Sequence, residues 1–162
     1  MTLKKQRINY NLFIKIILIF FILSKPTLAD IIKPSTNIDP KKVVKIQLSA
    51  LMKNDLPNKD SGIIQTWEFA HPKNQKVTGP IERFKNMIKT DSYSMLLNHS
   101  NHEISEVYMS KKVATFEVTV MDLEKKYYKF KWQVEKYNGE GALKDCWLTS
   151  AVSQPIPVGS SI

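Results

Sequence analysis

The side chains with the greatest capacity for acid–base or nucleophilic chemistry are three histidines and one cysteine. An enzyme that works in a cavity needs a histidine or carboxylate base there. His71, His99 and His102 instead lie in predicted loops or at strand ends, where we expect them to be exposed or to cap helices. Cys146 lacks a neighbouring base that would favour its thiolate, and a lone cysteine in an apolar strand is more often a small buried residue. The sequence therefore predicts no catalytic residue.

A second group of residues could bind a ligand without reacting with it. It comprises five aromatic residues and one arginine: Trp67, Arg83, Phe84, Tyr93, Tyr128 and Trp132. The aromatic side chains either fill the core or form a platform for an apolar ligand. Arg83 either binds a carboxylate or phosphate group or pairs with Glu82, Glu103 or Glu106. Both interpretations remain open for each residue.

Metal and disulfide chemistry find little support in this sequence. The cysteine and histidines do not form a cluster with the spacing of metal ligands. A single cysteine also cannot form a disulfide within the chain. We therefore expect no metal site and no cofactor.

A long β-hairpin within residues 112–137 must organise whatever site exists. Apolar and polar side chains alternate from Val113 to Met121 and again from Tyr128 to Val134, with the short polar connection 122–126 between them. The predicted buried face comprises alternate residues of the two strands: Ala114, Phe116, Val118, Val120, Tyr128, Phe130, Trp132 and Val134. Other elements must cover this face.

Three helices are predicted upstream of the hairpin. The first begins at Pro40 after the capping residue Asp39 and ends near Asn54. The second begins near Ser61 and stops at His71-Pro72, and residues 73–78 are predicted as a loop. The third follows a cap at Thr78 or Gly79 and an opening Pro80. Its buried stripe comprises Ile81, Phe84, Met87 and Ile88.

Two more strands complete the predicted sheet. In the strand from His102 to Met109, Ile104 and Val107 are expected to face inward. In the strand from Asp145 to Val152, Cys146 and Leu148 are assigned to the interior face and Trp147 to the other. Helices followed by about four antiparallel strands predict an α+β fold, with three N-terminal helices packed on one sheet face.

The first 29 residues have the features of a secretory signal peptide. A basic start precedes an apolar stretch from Leu12 to Leu23 and the small residue Ala29. The stretch is shorter than the roughly 20 residues that span a bilayer. We expect cleavage after Ala29, followed by a leader (30–39), one domain (40–152) and a surface tail (153–162). If the segment is not cleaved, it instead anchors the chain in a membrane.

The charge of the remaining chain argues against a nucleic-acid partner. Without residues 1–29 the chain has 19 basic and 15 acidic residues, a net charge of +4 compared with +9 for the full sequence. Arg83 is the only arginine in this part, whereas nucleic-acid sites favour arginine. The lysines are scattered, as on a solvated surface.

Several segments together resemble a known but uncharacterised family. They are Gln47–Asp55, Gly62–Pro72, Thr78–Phe84 and Cys146-Trp147-Leu148. The chain is similar to a domain-of-unknown-function family of bacteria, cyanobacteria and plants, thought to have the cone-shaped fold of nuclear transport factor 2, also called cystatin-like. The resemblance implies a curved antiparallel sheet around three helices with a cavity at its mouth. It implies no activity, because relatives of that fold include isomerases, dehydratases, binding modules and dimerisation domains.

Taken together, these features predict an exported, non-catalytic domain. We expect it to bind a small apolar ligand or a protein partner in or around the cone, and a homodimer is possible. The destination would be the periplasm, the thylakoid lumen or the extracellular space. The alternatives are a small isomerase-like or dehydratase-like enzyme and an interaction module held at a membrane by an uncleaved N-terminus.

Overall fold

Helices precede strands along the chain, as the α+β prediction requires. The computed structural model describes residues 30–160, so the predicted signal peptide lies outside the described residues. Within them the helices are α1 (Pro40–Met52), α2 (Ser61–Glu68), α3 (Pro72–Thr78) and α4 (Ile81–Ile88), followed by a 3-10 turn (Ser94–Leu96). The strands are β1 (Asn101–Met109), β2 (Val113–Met121), β3 (Lys126–Lys136), β4 (Trp147–Val152) and β5 (Ile156–Ser160).

Helix α1 begins as its sequence predicts. The Asp39 side chain accepts a hydrogen bond of 2.8 Å from the backbone N–H of Lys42, and Pro40 occupies the first turn, where a missing N–H has no cost. The buried face comprises Pro40, Val43, Val44, Ile46, Gln47, Leu48 and Leu51. The helix ends at Met52, two residues before the predicted end at Asn54.

Helix α2 packs very closely on the end of α1. The N–H of Gly62 donates to the carbonyl of Asn54 at 2.9 Å, and the Asn54 side chain accepts from the N–H of Ile63 at 3.1 Å. A Cβ atom at position 62 would lie 2.2 Å from the carbonyl oxygen of Ala50. Only glycine allows the two backbones to approach this closely.

The prediction of a loop at residues 73–78 is wrong, because α3 occupies this segment. The His71-Pro72 pair that ends α2 also starts the next helix, since Pro72 suits a first helical turn. His71 Nδ1 accepts from the N–H of Lys73 at 3.1 Å, which confirms its predicted capping role. His71 is nevertheless only 4% exposed. The sequence predicts three helices, whereas the described residues form four α-helices.

Helix α4 packs an apolar face against the core. Phe84 and Ile88 are buried in its middle and at its end. Pro80 itself occupies the N-cap position without a side-chain cap, so neither Thr78 nor Gly79 fills the predicted capping role.

The predicted hairpin is confirmed at the centre of the sheet. Strands β2 and β3 pair antiparallel, with Phe116 opposite Trp132 and Val118 opposite Phe130. The strand order is β1-β2-β3-β4, and β5 pairs with the first part of β3. The helix α1 contacts β1, β3 and β4, so the core lies between this helix layer and the sheet.

The inward positions of the outer strands differ from the prediction. Val107 is 65% exposed because it lies three positions after Ile104, and strand alternation places the two side chains on opposite faces. The register of β1 also shifts between Glu106 and Tyr108. Ile104 packs against the core as expected.

Both faces of β4 are buried at its start, including the predicted interior residues Cys146 and Leu148 and also Trp147 on the other face. The main core cluster contains Trp147, whereas Leu148 and the preceding Cys146 are buried outside that cluster. Alternation along a strand separates neighbours but does not reveal which side faces the helices. The segment after β4 pairs with β3 as the fifth strand, and its side chains lie exposed on the surface, as predicted for the tail.

Candidate functional site

A cavity of about 100 Å³ lies between the helices and the sheet. We call it the core cavity. Its buried apolar walls are formed by Leu51, Ala70, Phe84, Ile88 and Leu96. Its half-exposed lining residues, which mark the mouth, are Asn74, Thr78, Met87, Tyr93 and Val152. The remaining lining residues are buried and carry polar groups: Gln47, Thr66, Trp132 and Thr149.

Three of these polar side chains form a closed hydrogen-bond network. Gln47 Oε1 accepts from Thr149 Oγ1 at 2.6 Å and from Trp132 Nε1 at 3.1 Å. Trp132 Nε1 also lies 3.1 Å from Thr149 Oγ1, and Gln47 Nε2 donates to the carbonyl of Thr66 at 3.0 Å. Buried polar groups are tolerated when they are paired in this way. The network joins α1, β3 and β4 at one point.

Sequence reasoning missed Gln47 and Thr149. Gln47 lies four residues after Val43 and four before Leu51, so it falls within the apolar stripe of α1. It is only 1% exposed. A lone polar residue inside a helical apolar stripe is the signal that could have identified it, whereas Thr149 carries no comparable signal.

Three of the six predicted binding residues come together in the core cavity. Phe84, Tyr93 and Trp132 all line it. Trp67 packs behind Phe84, with ring centroids 4.9 Å apart, and does not line the cavity. Tyr128 packs against the core cluster away from the cavity.

Among the described residues Arg83 forms no ion pair with Glu82, Glu103 or Glu106, and its predicted role in binding a carboxylate or phosphate group stays a prediction. The residue is exposed and does not line the core cavity. Glu82, its neighbour, pairs with Lys85 at 2.8 Å instead, because residues three apart face each other on a helix.

Tyr93 lines the cavity and is only partly buried. Its oxygen accepts a hydrogen bond of 3.2 Å from Gln154 Nε2, which belongs to the segment between β4 and β5. Burial raises the pKa of the Tyr93 hydroxyl above its ordinary value of 10.0, so the group keeps its proton at neutral pH.

Next to one cavity wall, His99 and His102 form a directed hydrogen-bond chain. His99 Nδ1 lies 2.7 Å from the carbonyl oxygen of Leu96, which can only accept, so this nitrogen carries a proton. His99 Nε2 lies 2.7 Å from His102 Nδ1 and accepts from it when both rings are neutral. The expected exposure of His99 is wrong, since it is 2% exposed, and its two satisfied ring nitrogens make this burial possible.

We expect stability to fall as the pH decreases from about 7.5 to 5.5. Burial lowers the pKa values of His71, His99 and His102 below 6.5. The unfolded chain therefore binds more protons than the folded chain below about pH 6.5. The free energy of unfolding decreases accordingly as the pH falls from about 6.5 through the folded pKa values. Chemical denaturation at several pH values measures the effect.

A matched variant separates the contribution of one imidazole. In His71→Asn the side chain keeps the ability to cap α3 but no longer titrates. We expect a shallower pH dependence, with a lower free energy of unfolding at pH 7.5 because the smaller side chain loses the contact of the buried imidazole with Tyr137. An unchanged free energy of unfolding of the parent between pH 7.5 and 5.5 would contradict the assignment of buried neutral histidines.

Cys146 has the environment of an inert thiol. It is 1% exposed, and burial, followed by the charge of Asp145, raises its thiol pKa. A raised pKa disfavours the thiolate that a nucleophile requires. These properties agree with the interpretation of a small buried residue.

The ionisable side chain among the described residues that line the core cavity is Tyr93. The lining residues within the described chain include no carboxylate and no imidazole. Residues 30–160 also contain no group of three or more histidine, cysteine or acidic side chains that could hold a metal ion. In the same range there is no helix with the length and apolar character needed for a bilayer span.

Comparison with known proteins identifies a family but no characterised relative. A family model with the description "Domain of unknown function (DUF4864)" matches residues 35–153. No curated protein and no solved structure matches the chain. The match covers all four helices and strands β1 to β4.

Proposed function

We propose that this chain, which belongs to the family described as Domain of unknown function (DUF4864), is an exported, non-catalytic protein that binds a small apolar ligand, or an apolar group of a protein partner, in its core cavity. The family carries no established activity, so the proposal rests on the cavity. Export rests on the signal-peptide pattern of residues 1–29.

The observation that carries the proposal is an apolar cavity in which the buried polar groups of Gln47, Trp132 and Thr149 are paired with one another. Phe84 and Ile88 supply apolar wall, while Gln47 and Thr149 bond to each other. A site of this kind favours burial of apolar surface, which contributes about 25 cal/mol for each Å² removed from water. Its lining within the described residues holds no carboxylate and no imidazole that could act as a base.

The rival proposal is a small enzyme acting in the same cavity. It would need a base within hydrogen-bond reach of a bound substrate. The imidazole of His99 is engaged with Leu96 and His102, and neither histidine lines the cavity. These contacts support the binding proposal over the enzymatic one. An interaction module anchored by an uncleaved N-terminus remains the third alternative.

We also propose that the fold is a cone of the nuclear transport factor 2 kind. Helices followed by an antiparallel sheet, with a cavity between the two layers, support this assignment. The fourth α-helix, α3, is an addition to the three helices that the resemblance implies.

Native mass spectrometry of the protein purified from its own source tests the function. We expect a chain that begins at Asp30 and carries a bound small molecule or partner. In a Val152→Phe variant the larger side chain should fill the cavity mouth and abolish this retention, because Val152 lines the mouth.

The control is the same substitution outside the cavity. Val158→Phe changes an exposed valine of β5, which is 48% exposed, and should retain the bound mass. Equal retention by the two variants would place the ligand elsewhere. A mature chain that still contains Met1 would contradict export by cleavage.

A further inference from the structure

We infer that the ligand of the core cavity is a neutral molecule with a short apolar end and an oxygen atom that accepts a hydrogen bond from the Tyr93 hydroxyl. The inference rests on the proposed binding function and adds the chemical class of the ligand. It follows from the size of the cavity, its paired interior, its lack of charge and the group at its mouth.

The size of the cavity limits the buried part of the ligand. An apolar cavity of about 150 Å³ accommodates benzene, so a volume of about 100 Å³ fits roughly four carbon atoms. A butyl or isobutyl group has this size. A larger ligand would therefore leave its remaining atoms at the mouth, near Tyr93 and Thr78.

The largely paired interior favours an apolar buried end. Gln47 Oε1 already accepts two hydrogen bonds, and both donors, Trp132 Nε1 and Thr149 Oγ1, are engaged with it. One N–H of Gln47 Nε2 donates to the Thr66 carbonyl, and its second N–H has no acceptor among the hydrogen bonds of the described residues. A polar ligand atom at this depth that does not accept from this second N–H would have to break the network or remain unpaired. An unpaired buried polar group costs about 1 to 3 kcal/mol.

The lack of charge in the lining selects a neutral ligand. Among the described residues that line the cavity, none is acidic, and none is lysine, arginine or histidine. A carboxylate or ammonium group entering this site would lose its hydration without gaining a counter-ion. An ion would therefore bind less well than a neutral molecule of the same shape.

The mouth supplies a hydrogen-bond donor for the other end of the ligand. The Tyr93 oxygen accepts from Gln154 Nε2, and its own proton has no acceptor among the hydrogen bonds of the described residues. A hydroxyl that accepts one hydrogen bond becomes a better donor in the next. A carbonyl, ether or hydroxyl oxygen at the mouth can use this proton.

Three small molecules test the inference on the full domain by nuclear magnetic resonance. Xenon reports the cavity alone, 2-hexanone carries a four-carbon chain and a carbonyl oxygen, and pentanoate carries the same chain on a charged carboxylate. The indole N–H of Trp132, which faces the cavity network, is the reporter. The variant is Tyr93→Phe, and Tyr128→Phe is the matched control outside the cavity.

We expect xenon and 2-hexanone to shift the Trp132 signal and pentanoate to bind at least about tenfold more weakly at pH 7. Tyr93→Phe should weaken 2-hexanone binding about 2- to 10-fold, the effect of one hydrogen bond, without changing xenon binding. Tyr128→Phe should change neither.

Two kinds of failure are distinguishable. If xenon binds but 2-hexanone binds equally to the parent and to Tyr93→Phe, or pentanoate binds as tightly as the ketone, the ligand class is wrong and cavity binding stands. If neither xenon nor 2-hexanone shifts the Trp132 signal, the proposed function and the inference fall together.

Discussion

Replacement of Trp132 by alanine is expected to lower the free energy of unfolding by about 3 to 5 kcal/mol, the range for loss of a large buried aromatic side chain. Trp132 is 1% exposed and lies opposite Phe116 at the centre of the sheet. Its indole N–H also bonds to Gln47 and Thr149. The loss would remove a large part of the stability of a domain this size. Urea denaturation of the variant beside the parent measures it.

Trp132→Phe separates packing from hydrogen bonding. The phenyl ring keeps most of the packing but loses the N–H, and Gln47 and Thr149 still bond to each other at 2.6 Å. We therefore expect a loss of about 1 to 2 kcal/mol. If the alanine variant loses less than about 1 kcal/mol, Trp132 faces an open pocket rather than packed core, and the assignment of Trp132 to the core is wrong.

Gly62→Ala is expected to destabilise the protein by at least about 2 kcal/mol, although the same change stabilises an isolated helix by about 1 kcal/mol. The new Cβ would lie 2.2 Å from the Ala50 carbonyl oxygen and 2.8 Å from the Asn54 Cα. Both are backbone atoms, which cannot move aside as a flexible side chain does. Helices α1 and α2 must therefore separate. Denaturant unfolding of the variant beside the parent shows directly whether the substitution lowers or raises the free energy of unfolding.

Ser61→Ala is the control for this prediction because it changes the adjacent position of the same helix. The Ser61 hydroxyl accepts only an exposed hydrogen bond of 3.2 Å from the N–H of Asn58, so its loss should cost less than about 1 kcal/mol. A gain in stability for Gly62→Ala would mean that the two helices lie further apart than the structure shows.

The elements that could be predicted from sequence are those whose signals lie close together in the chain. The Asp39 cap, Pro40 and the apolar stripe define α1 within about one helix length. The alternation around Phe116 and Trp132 defines the hairpin, whose two strands are joined by a short turn. Helix α3 was missed because His71-Pro72 is equally consistent with an end and a start, and only the hydrogen bond from Lys73 decides between them.

The face of an outer strand could not be predicted with the same success. Alternation separates Cys146 and Leu148 from Trp147, but the side that the helices cover depends on the path of the whole chain. Val107 fails for a different reason. It lies three positions after Ile104, so strand alternation itself places the two side chains on opposite faces.

By itself, the sequence determined the fold class, the first helix and the central hairpin, because local capping and periodicity act between residues a few positions apart. The tertiary structure alone decided that Trp132 is both core and cavity wall, and that Gln47 and Thr149, 102 positions apart, meet beneath it. It also decided that Gly62 cannot carry a side chain. These features depend on distances between elements, which are set when the helix layer and the sheet pack together.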